Sequence, residues 1–163
     1  MNDLTSRALE LQHAAHELMY LGMDGEPVYS DNFCRLNKKV LVKSDSLFSA
    51  QSSDVEEEAN LCLALLMGYN ATVYDDGDKE QKKQMVLNRI CLVLEQLPAS
   101  LLKVRLLTYT YGEVYEEVLF QEAYAIIEGW NKDNLSSEQT EIIEELKNIE
   151  ENPYPFEVVE CKS

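Results

Sequence analysis

Apolar residues recur at helical spacing through almost the whole chain, and this periodicity constrains the fold more than any other feature. The first segment shows the pattern on a single helix face: Leu4, Ala8, Leu11, Ala15 and Leu18. Only residues 71–74 and 158–159 hint at strand, and neither run is long enough to found a sheet. The sequence therefore predicts an all-α protein of about seven helices.

Capping and breaking residues divide this pattern into helices joined by short loops. Ser30 and Ser100 are expected N-caps, because a serine hydroxyl can accept from an amide of the first turn. Capping boxes are expected at 53–56 and 136–139, each pairing a serine with a Glu or Gln three residues later. Gly112 is expected to break a helix.

The same pattern predicts which segments are buried and how the chain is organised. The broad apolar stripe of 55–66 indicates a central, mostly buried helix, whereas the Ser-rich stretch 44–54 suits a loop or a frayed turn. Met85 and Val118 fall on apolar stripes of later helices. We expect one compact domain of antiparallel helical hairpins over 1–151, followed by an extended acidic C-terminal tail over 152–163, where two prolines disfavour helix.

Charge excludes several classes of function. The 163 residues carry 30 acidic and 14 basic side chains, a net charge of −16. A protein this negative repels phosphate backbones and anionic membrane surfaces, so neither direct nucleic-acid binding nor membrane binding is expected. The longest apolar run has seven residues, far short of the ~20 that a spanning helix needs.

The start of the chain and its cysteines indicate a reducing compartment. No basic stretch followed by an apolar stretch precedes the first helix, so no secretory signal is expected. The four cysteines are scattered, without a CxxC pair, in a chain long enough to build a core without disulfides. We therefore expect a cytoplasmic protein.

The negative charge is concentrated in the last third of the chain. Residues 113–163 hold 14 acidic and 3 basic residues, a net charge of −11, whereas the other 112 residues have a net charge of −5. Small basic clusters at 35–43 and 79–89 are typical of solvated helix faces. The acidic third is the better candidate for a functional surface, because a patch of one sign steers an oppositely charged partner.

Residues that could carry catalysis or bind metal do not form a recognisable motif. His13 and His16 could place two ligands on one helix face, but the pattern supplies no third, and they suit the edge of a core. Asp75–Asp78 and the segment around Gly25 lack the glutamate that a calcium loop needs. We therefore expect neither an enzyme nor a bound metal or cofactor.

Tyrosines and glutamates gather in one short segment, 106–117. Tyrosine supplies a large contact area at low entropic cost, so exposed clusters favour interfaces. The alternative is that some of these tyrosines belong to the core with their hydroxyls at its rim. The candidate partner-binding residues are Tyr109, Tyr111, Glu113, Tyr115, Glu116 and Glu117.

Four stretches resemble the UpxZ family of transcription antiterminator antagonists. They are 20–31 (YLGMDGEPVYSD), 61–78 (LCLALLMGYNATVYDDGD), 97–115 (LPASLLKVRLLTYTYGEVY) and 150–154 (EENPY). They reach from near the start of the chain to near its end, so the resemblance covers almost its whole length. Residues 44–54 match no part of the pattern.

The resemblance implies a small cytoplasmic regulator that works by protein–protein contact. Members of the family are encoded with capsular polysaccharide operons and act in trans against NusG-like antiterminators made by other capsule loci. Under this interpretation the acidic third docks on a basic surface of the antiterminator. The alternative is a helical adaptor that binds RNA polymerase, its elongation complex or another protein through an acidic, tyrosine-rich face.

Overall fold

A computed structural model describes residues 3–23, 30–73 and 78–151. Within these ranges the chain forms seven α-helices and no β-strand, which confirms the all-α prediction. The helices are α1 (Asp3–Met23), α2 (Asp31–Phe48), α3 (Val55–Ala71), α4 (Lys79–Gln96), α5 (Leu101–Val114), α6 (Glu117–Glu128) and α7 (Ser137–Glu151). The predicted tail at 152–163 and most of the two rejected calcium loops lie outside the described residues.

The helices fall into two compact units, Met1–Leu97 and Pro98–Ser163. Unit 1 is built around α3, which contacts α1, α2 and α4. Twelve residues of α3 are buried, as expected for a central helix. In unit 2, α5 packs against both α6 and α7. The single domain predicted over 1–151 stays a prediction.

Side-chain caps fix several of the helix starts that the sequence predicts. Ser30 accepts from the amide of Phe33, and Ser100 accepts from the amide of Lys103, each at 3.1 Å. At α7 the Ser136 hydroxyl and the Gln139 side chain form the predicted reciprocal pair. Each of these caps joins residues that are three positions apart, so the sequence alone predicts it.

The other predicted capping box is displaced by one residue. The N-cap of α3 is Asp54, which accepts from the amide of Glu57 at 2.8 Å. The Glu57 carboxylate accepts in return from the backbone N–H of Ser53 at 2.6 Å. Aspartate and serine are equally good caps, so the prediction of Ser53 with Glu56 was wrong by one position.

The break predicted at Gly112 is absent, and the loop predicted over 44–54 begins only after residue 48. Helix α2 continues to Phe48. Inside the core, the Ser44 hydroxyl donates a hydrogen bond to the Val40 carbonyl at 2.8 Å. Helix α5 passes through Gly112, where the missing side chain admits Ile149 of α7. Both residues serve close helix contact rather than chain reversal.

Two apolar residues that the sequence placed on buried stripes are exposed. Met85 is 51% exposed and Val118 is 61% exposed. Their helices instead bury Val86 and Ile90 in α4, and Ala123 and Ile127 in α6. Both residues therefore lie on the protein surface and not in the core.

Candidate functional site: an acidic aromatic corner

An aromatic cluster marks the end of α5 and the beginning of α6. The ring of Tyr111 lies 5.4 Å from the ring of Tyr115 and 5.2 Å from that of Phe120. The ring of Phe120 in turn lies 4.6 Å from that of Tyr124. These spacings and tilted geometries are typical of favourable aromatic pairs. The cluster fixes the corner between the two helices.

The backbone turns this corner at Tyr115, which adopts a left-handed conformation with φ 55° and ψ 36°. It is the one non-glycine residue with positive φ among those described. Its amide donates to the Tyr111 carbonyl at 2.8 Å and so caps α5. A bulky residue in this conformation is uncommon, and such strain concentrates at functional sites.

Helix α7 brings further carboxylates to the same cluster. A Cβ on Gly112 would lie 3.3 Å from Cδ1 of Ile149, so α5 and α7 approach closely there. Burial raises the pKa of Tyr111, and the negative charges of Glu117 and Glu150 raise it further. Acids from the start of α6 and the end of α7 therefore act electrostatically on the same tyrosine.

The outer surface of the corner combines charge with exposed apolar atoms. Glu116 and Glu117 are exposed, and Val118 follows them at 61% exposure. Glu116 stands at the N-cap of α6 but makes no side-chain capping bond, so its carboxylate faces solvent. We call the surface formed by Val114, Tyr115, Glu116, Glu117, Val118 and Glu150 the acidic corner.

The six residues predicted as a partner-binding site do not all meet at the acidic corner. Tyr111, Tyr115 and Glu117 come together, with Glu116 beside them. Tyr109 and Glu113 lie two residues from Tyr111 on α5, about 200° around the helix axis, and are half-buried. Tyr109 and Glu113 therefore lie on a different face of α5 from Tyr111, apart from the predicted residues that follow the helix.

Tyr111 itself belongs to the core. Its side chain is only 7% exposed, whereas Tyr115 is half-buried at the surface. Sequence reasoning missed Phe120, Tyr124 and Glu150, which complete the cluster. The aromatic residues could have been found from their i, i+4 spacing on α6, but nothing in the sequence brings Glu150 to α5.

The candidates for metal binding or catalysis do not develop into a site. His16 packs against the ring of Tyr20 at 4.5 Å, and His13 is exposed. The described part of the chain holds no group of three or more potential ligands. Burial raises the pKa of the Cys62 thiol to about 12, so it stays protonated at neutral pH.

None of the described helices combines the length and the apolar character needed to cross a bilayer. The acidic corner presents exposed carboxylates and exposed apolar side chains beside a packed aromatic cluster.

Comparison with protein families gives the decisive observation. Residues 8–112 match the family described as the UpxZ family of transcription anti-terminator antagonists. The chain belongs to this family. The match includes most of α1, all of α2 to α4 and most of α5, and it ends just before the acidic corner. Among curated proteins, nothing matches the chain.

A solved structure agrees with this assignment to the UpxZ family. It is a crystal structure described as a transcription anti-terminator antagonist UpxZ from Bacteroides uniformis ATCC 8492. The two chains are 66% identical, and the match covers 96% of this chain and 97% of the other, with a TM-score of 0.85. The recognition made from four sequence stretches is confirmed.

Proposed function

We propose that this protein inhibits NusG-like antiterminators of other capsular polysaccharide operons by binding them directly through the acidic corner. It acts in the cytoplasm, without catalysis and without a cofactor. The observation that carries the proposal is the exposed group Glu116, Glu117 and Val118 next to the packed rings of Tyr111 and Tyr115, with the charge of Glu150 on α7 raising the pKa of Tyr111. These groups come from three helices and form one surface.

Electrostatics supports a basic partner. An antiterminator must act beside nascent transcript, and protein surfaces that meet nucleic acid are usually basic. The last third of this chain, with its net charge of −11, would be attracted to such a surface and would cover it. Inhibition then follows from occlusion, because the antiterminator can no longer engage its own target.

The charges of the acidic corner are not explained by helix stability alone. Glu117 lies in the first turn of α6, where a negative charge is favourable. Glu150 and Glu151 lie in the last turn of α7, where no basic residue balances them. Acids at that end oppose the helix dipole and cost roughly 0.3–1 kcal/mol each. A role in binding accounts for their presence.

Apolar atoms next to these charges support a protein partner. Val118 and Val114 are 61% and 38% exposed, and Tyr115, between them in the sequence, is half-buried. Interfaces owe most of their affinity to a few aromatic and aliphatic contacts, while the surrounding charge sets association rate and specificity. The acidic corner has both components.

The class of partner is tested by direct binding to a panel of purified NusG-like capsule antiterminators, at low and high salt. We expect binding to some members and not others, with affinity falling as salt increases. Binding to none of them, together with binding to RNA polymerase or an assembled elongation complex, would refute the proposal in favour of an adaptor.

A further inference from the structure

Helix α2 concentrates positive charge in a chain that is strongly acidic. Residues 32–44 contain four basic residues and no acidic one, whereas the whole chain has a net charge of −16. Three of the four, Arg35, Lys38 and Lys39, are exposed. Together with exposed Val42 they lie within about 100° of one another around the helix axis. We call the surface formed by these four residues the basic face.

The basic face lies opposite the side of α2 that packs into unit 1. That side buries Phe33, Val40 and Leu47, and the helix contacts α1 and α3. A helix that is apolar on one side and charged on the other keeps its charged side in solvent. The cations are therefore presented outward from a helix that is held by its own core contacts.

Ion pairing distinguishes the basic face from the other basic cluster of the sequence, at 79–89. In that cluster Lys82 and Arg89 are paired with carboxylates at 3.0 and 2.8 Å. By contrast, the three cations of the basic face make no hydrogen bond and no ion pair with the residues that the structure describes. The second cluster thus serves contacts within the chain, whereas the charges of the basic face are available to a partner.

The stability of α2 does not explain these charges. Arg35 and Lys39 are four positions apart, as are Lys39 and Lys43, and like charges at this spacing destabilise a helix. Basic residues favour the last turn of a helix, and α2 has none there. A negatively charged partner would remove the repulsion between these side chains, so binding accounts for their presence.

A depression between α1 and α2 adjoins the basic face at Val42. It has a volume of about 190 Å³ and is lined by Arg7, Glu10, Val42, Lys43, Ser46 and Leu47. Val42 is 58% exposed and supplies apolar surface there. Arg7, which donates to the Ser46 hydroxyl at 3.1 Å, supplies a further positive charge. An apolar contact is thus available beside cations from two helices.

We propose that the basic face binds an acidic protein segment, whose carboxylates contact Arg35, Lys38 and Lys39 and whose apolar side chain contacts Val42. Charge complementarity selects this class of partner, because three unpaired cations attract carboxylates and steer them to this helix. The basic face lies in unit 1 and has the opposite sign to the acidic corner of unit 2. The inference therefore goes beyond the proposed antagonist function and does not depend on it.

A protein segment fits this surface better than a nucleic acid does. A nucleic acid carries phosphates along its whole length, and a chain of net charge −16 repels those that extend past the basic face. Single strands are also held by stacking on exposed aromatic side chains. Helix α2 exposes none, because Phe33 is buried and Phe48 is half-buried. A short acidic segment places its charges on the basic face alone.

A synthetic peptide of glutamates and leucines is the probe for this surface. Its control is the same peptide with every glutamate replaced by glutamine. By fluorescence anisotropy with the full chain, we expect the glutamate peptide to bind more weakly as salt is raised, and the glutamine peptide to bind at least tenfold more weakly. In NMR titrations, we expect the amide shifts to concentrate on 35–42. Absence of binding, or shifts concentrated elsewhere, would overturn the proposal.

The variant Lys38→Gln with Lys39→Gln tests the cations. Both residues are exposed, so we expect the fold to be intact, which circular dichroism verifies. We expect at least fivefold weaker binding of the glutamate peptide. Gln81→Glu with Gln96→Glu is the matched control, because both glutamines are exposed on α4 of the same unit and the net charge changes equally. Equal losses in the two variants would overturn the proposal.

The variant Val42→Ser tests the apolar contact. We expect about threefold weaker binding of the peptide that contains leucine, and unchanged binding of one in which serine replaces leucine. Equal losses with both peptides would overturn the contact assigned to Val42.

Two other results would assign the basic face to a different occupant and overturn the proposal. One is a single-stranded RNA oligonucleotide that binds the wild type more tightly than the peptide does and that the Lys38→Gln, Lys39→Gln variant no longer binds. The other is self-association of the wild type that weakens with salt and is lost in the same variant, which would assign the face to acidic residues of a second copy.

Discussion

At the scale of single residues, Tyr111 is a candidate interface residue that also belongs to the core, so its alanine substitution affects stability as well as binding. It is 7% exposed and contacts the rings of Tyr115 and Phe120. We expect Tyr111→Ala to lower the free energy of unfolding by about 3 kcal/mol, because it empties an aromatic site.

Tyr111→Phe is the matched variant for this prediction. It keeps the ring, and we expect its stability in urea to stay within about 1 kcal/mol of the wild type. Loss of partner binding in Tyr111→Ala therefore reports folding unless Tyr111→Phe loses it too. Equal stability of the alanine and phenylalanine variants would contradict the buried position of this ring.

Gly68 allows α3 to pass close to α2. A Cβ at Gly68 would collide with the Ser44 hydroxyl, which already donates to the Val40 carbonyl. We expect Gly68→Ala to lower the free energy of unfolding by roughly 1–3 kcal/mol through overpacking. Ser44→Ala removes the colliding atom, so the double variant is expected to recover most of the loss in thermal or urea unfolding. No recovery would show that the strain lies elsewhere.

The ion pair between Arg89 and Glu58 gives a prediction about pH. Two guanidinium nitrogens of Arg89 donate to Glu58 at 2.8 and 2.9 Å. Burial works to raise the pKa of Glu58, but the bonds from Arg89 and Ser52 outweigh it and hold the pKa below its ordinary value of 4.5. A lowered pKa contributes stability above 4.5, and this contribution is lost as the pH falls through the lowered value.

The Arg89→Met variant removes this contribution. We expect the difference in free energy of unfolding between wild type and variant to be largest at neutral pH and to shrink as the pH falls below 4.5. Arg35→Met is the control, because Arg35 is exposed and makes no ion pair with a described residue. A difference for Arg89→Met that does not vary with pH in urea titrations would contradict this linkage.

At the scale of helices, the start of α3 distinguishes two neighbouring caps. Asp54 accepts from the Glu57 amide, whereas Ser53 contributes mainly its backbone N–H to the Glu57 carboxylate. We expect Asp54→Ala to cost about 1 kcal/mol of stability and Ser53→Ala only a few tenths. The reverse order in denaturant unfolding would restore Ser53 as the cap.

Helices and their caps could be predicted because they depend on local sequence. Ser30, Ser100 and the box at 136–139 act within four residues, and the apolar periodicity located all seven helices. The exposure of individual apolar residues was harder to predict from the sequence. Met85 is followed by apolar Val86, and Val118 by apolar Leu119, and only the direction of the supporting helix decides which member of each pair is the more buried.

Helix α5 continues through Gly112 and helix α2 continues through Ser44, although the sequence predicts neither. A glycine or a serine weakens an isolated helix, but here each residue lies where two helices come close together. Tertiary packing then favours the small side chain and keeps the helix continuous. Such contacts cannot be read from one segment alone.

At the scale of the whole molecule, charge distribution could be predicted and the composition of the site only in part. The net charge of −11 over 113–163 is a count, and the surface proposed here lies in that third of the chain. Glu150 raises the pKa of Tyr111 from α7, which approaches α5 closely where Ile149 meets Gly112. Contacts between residues almost forty positions apart are set by the fold.

The central claim is that the acidic corner contacts the antiterminator, and charge reversal there tests it most directly. We would compare the affinity of three chains for an antiterminator that binds the wild type: wild type, Glu116→Lys with Glu117→Lys, and Glu17→Lys with Glu56→Lys. The last pair is exposed in unit 1 and changes the net charge equally. We predict at least a tenfold loss of affinity for the corner variant alone. Equal affinities of the two variants would contradict the account, because the effect would then come from net charge and not from this surface.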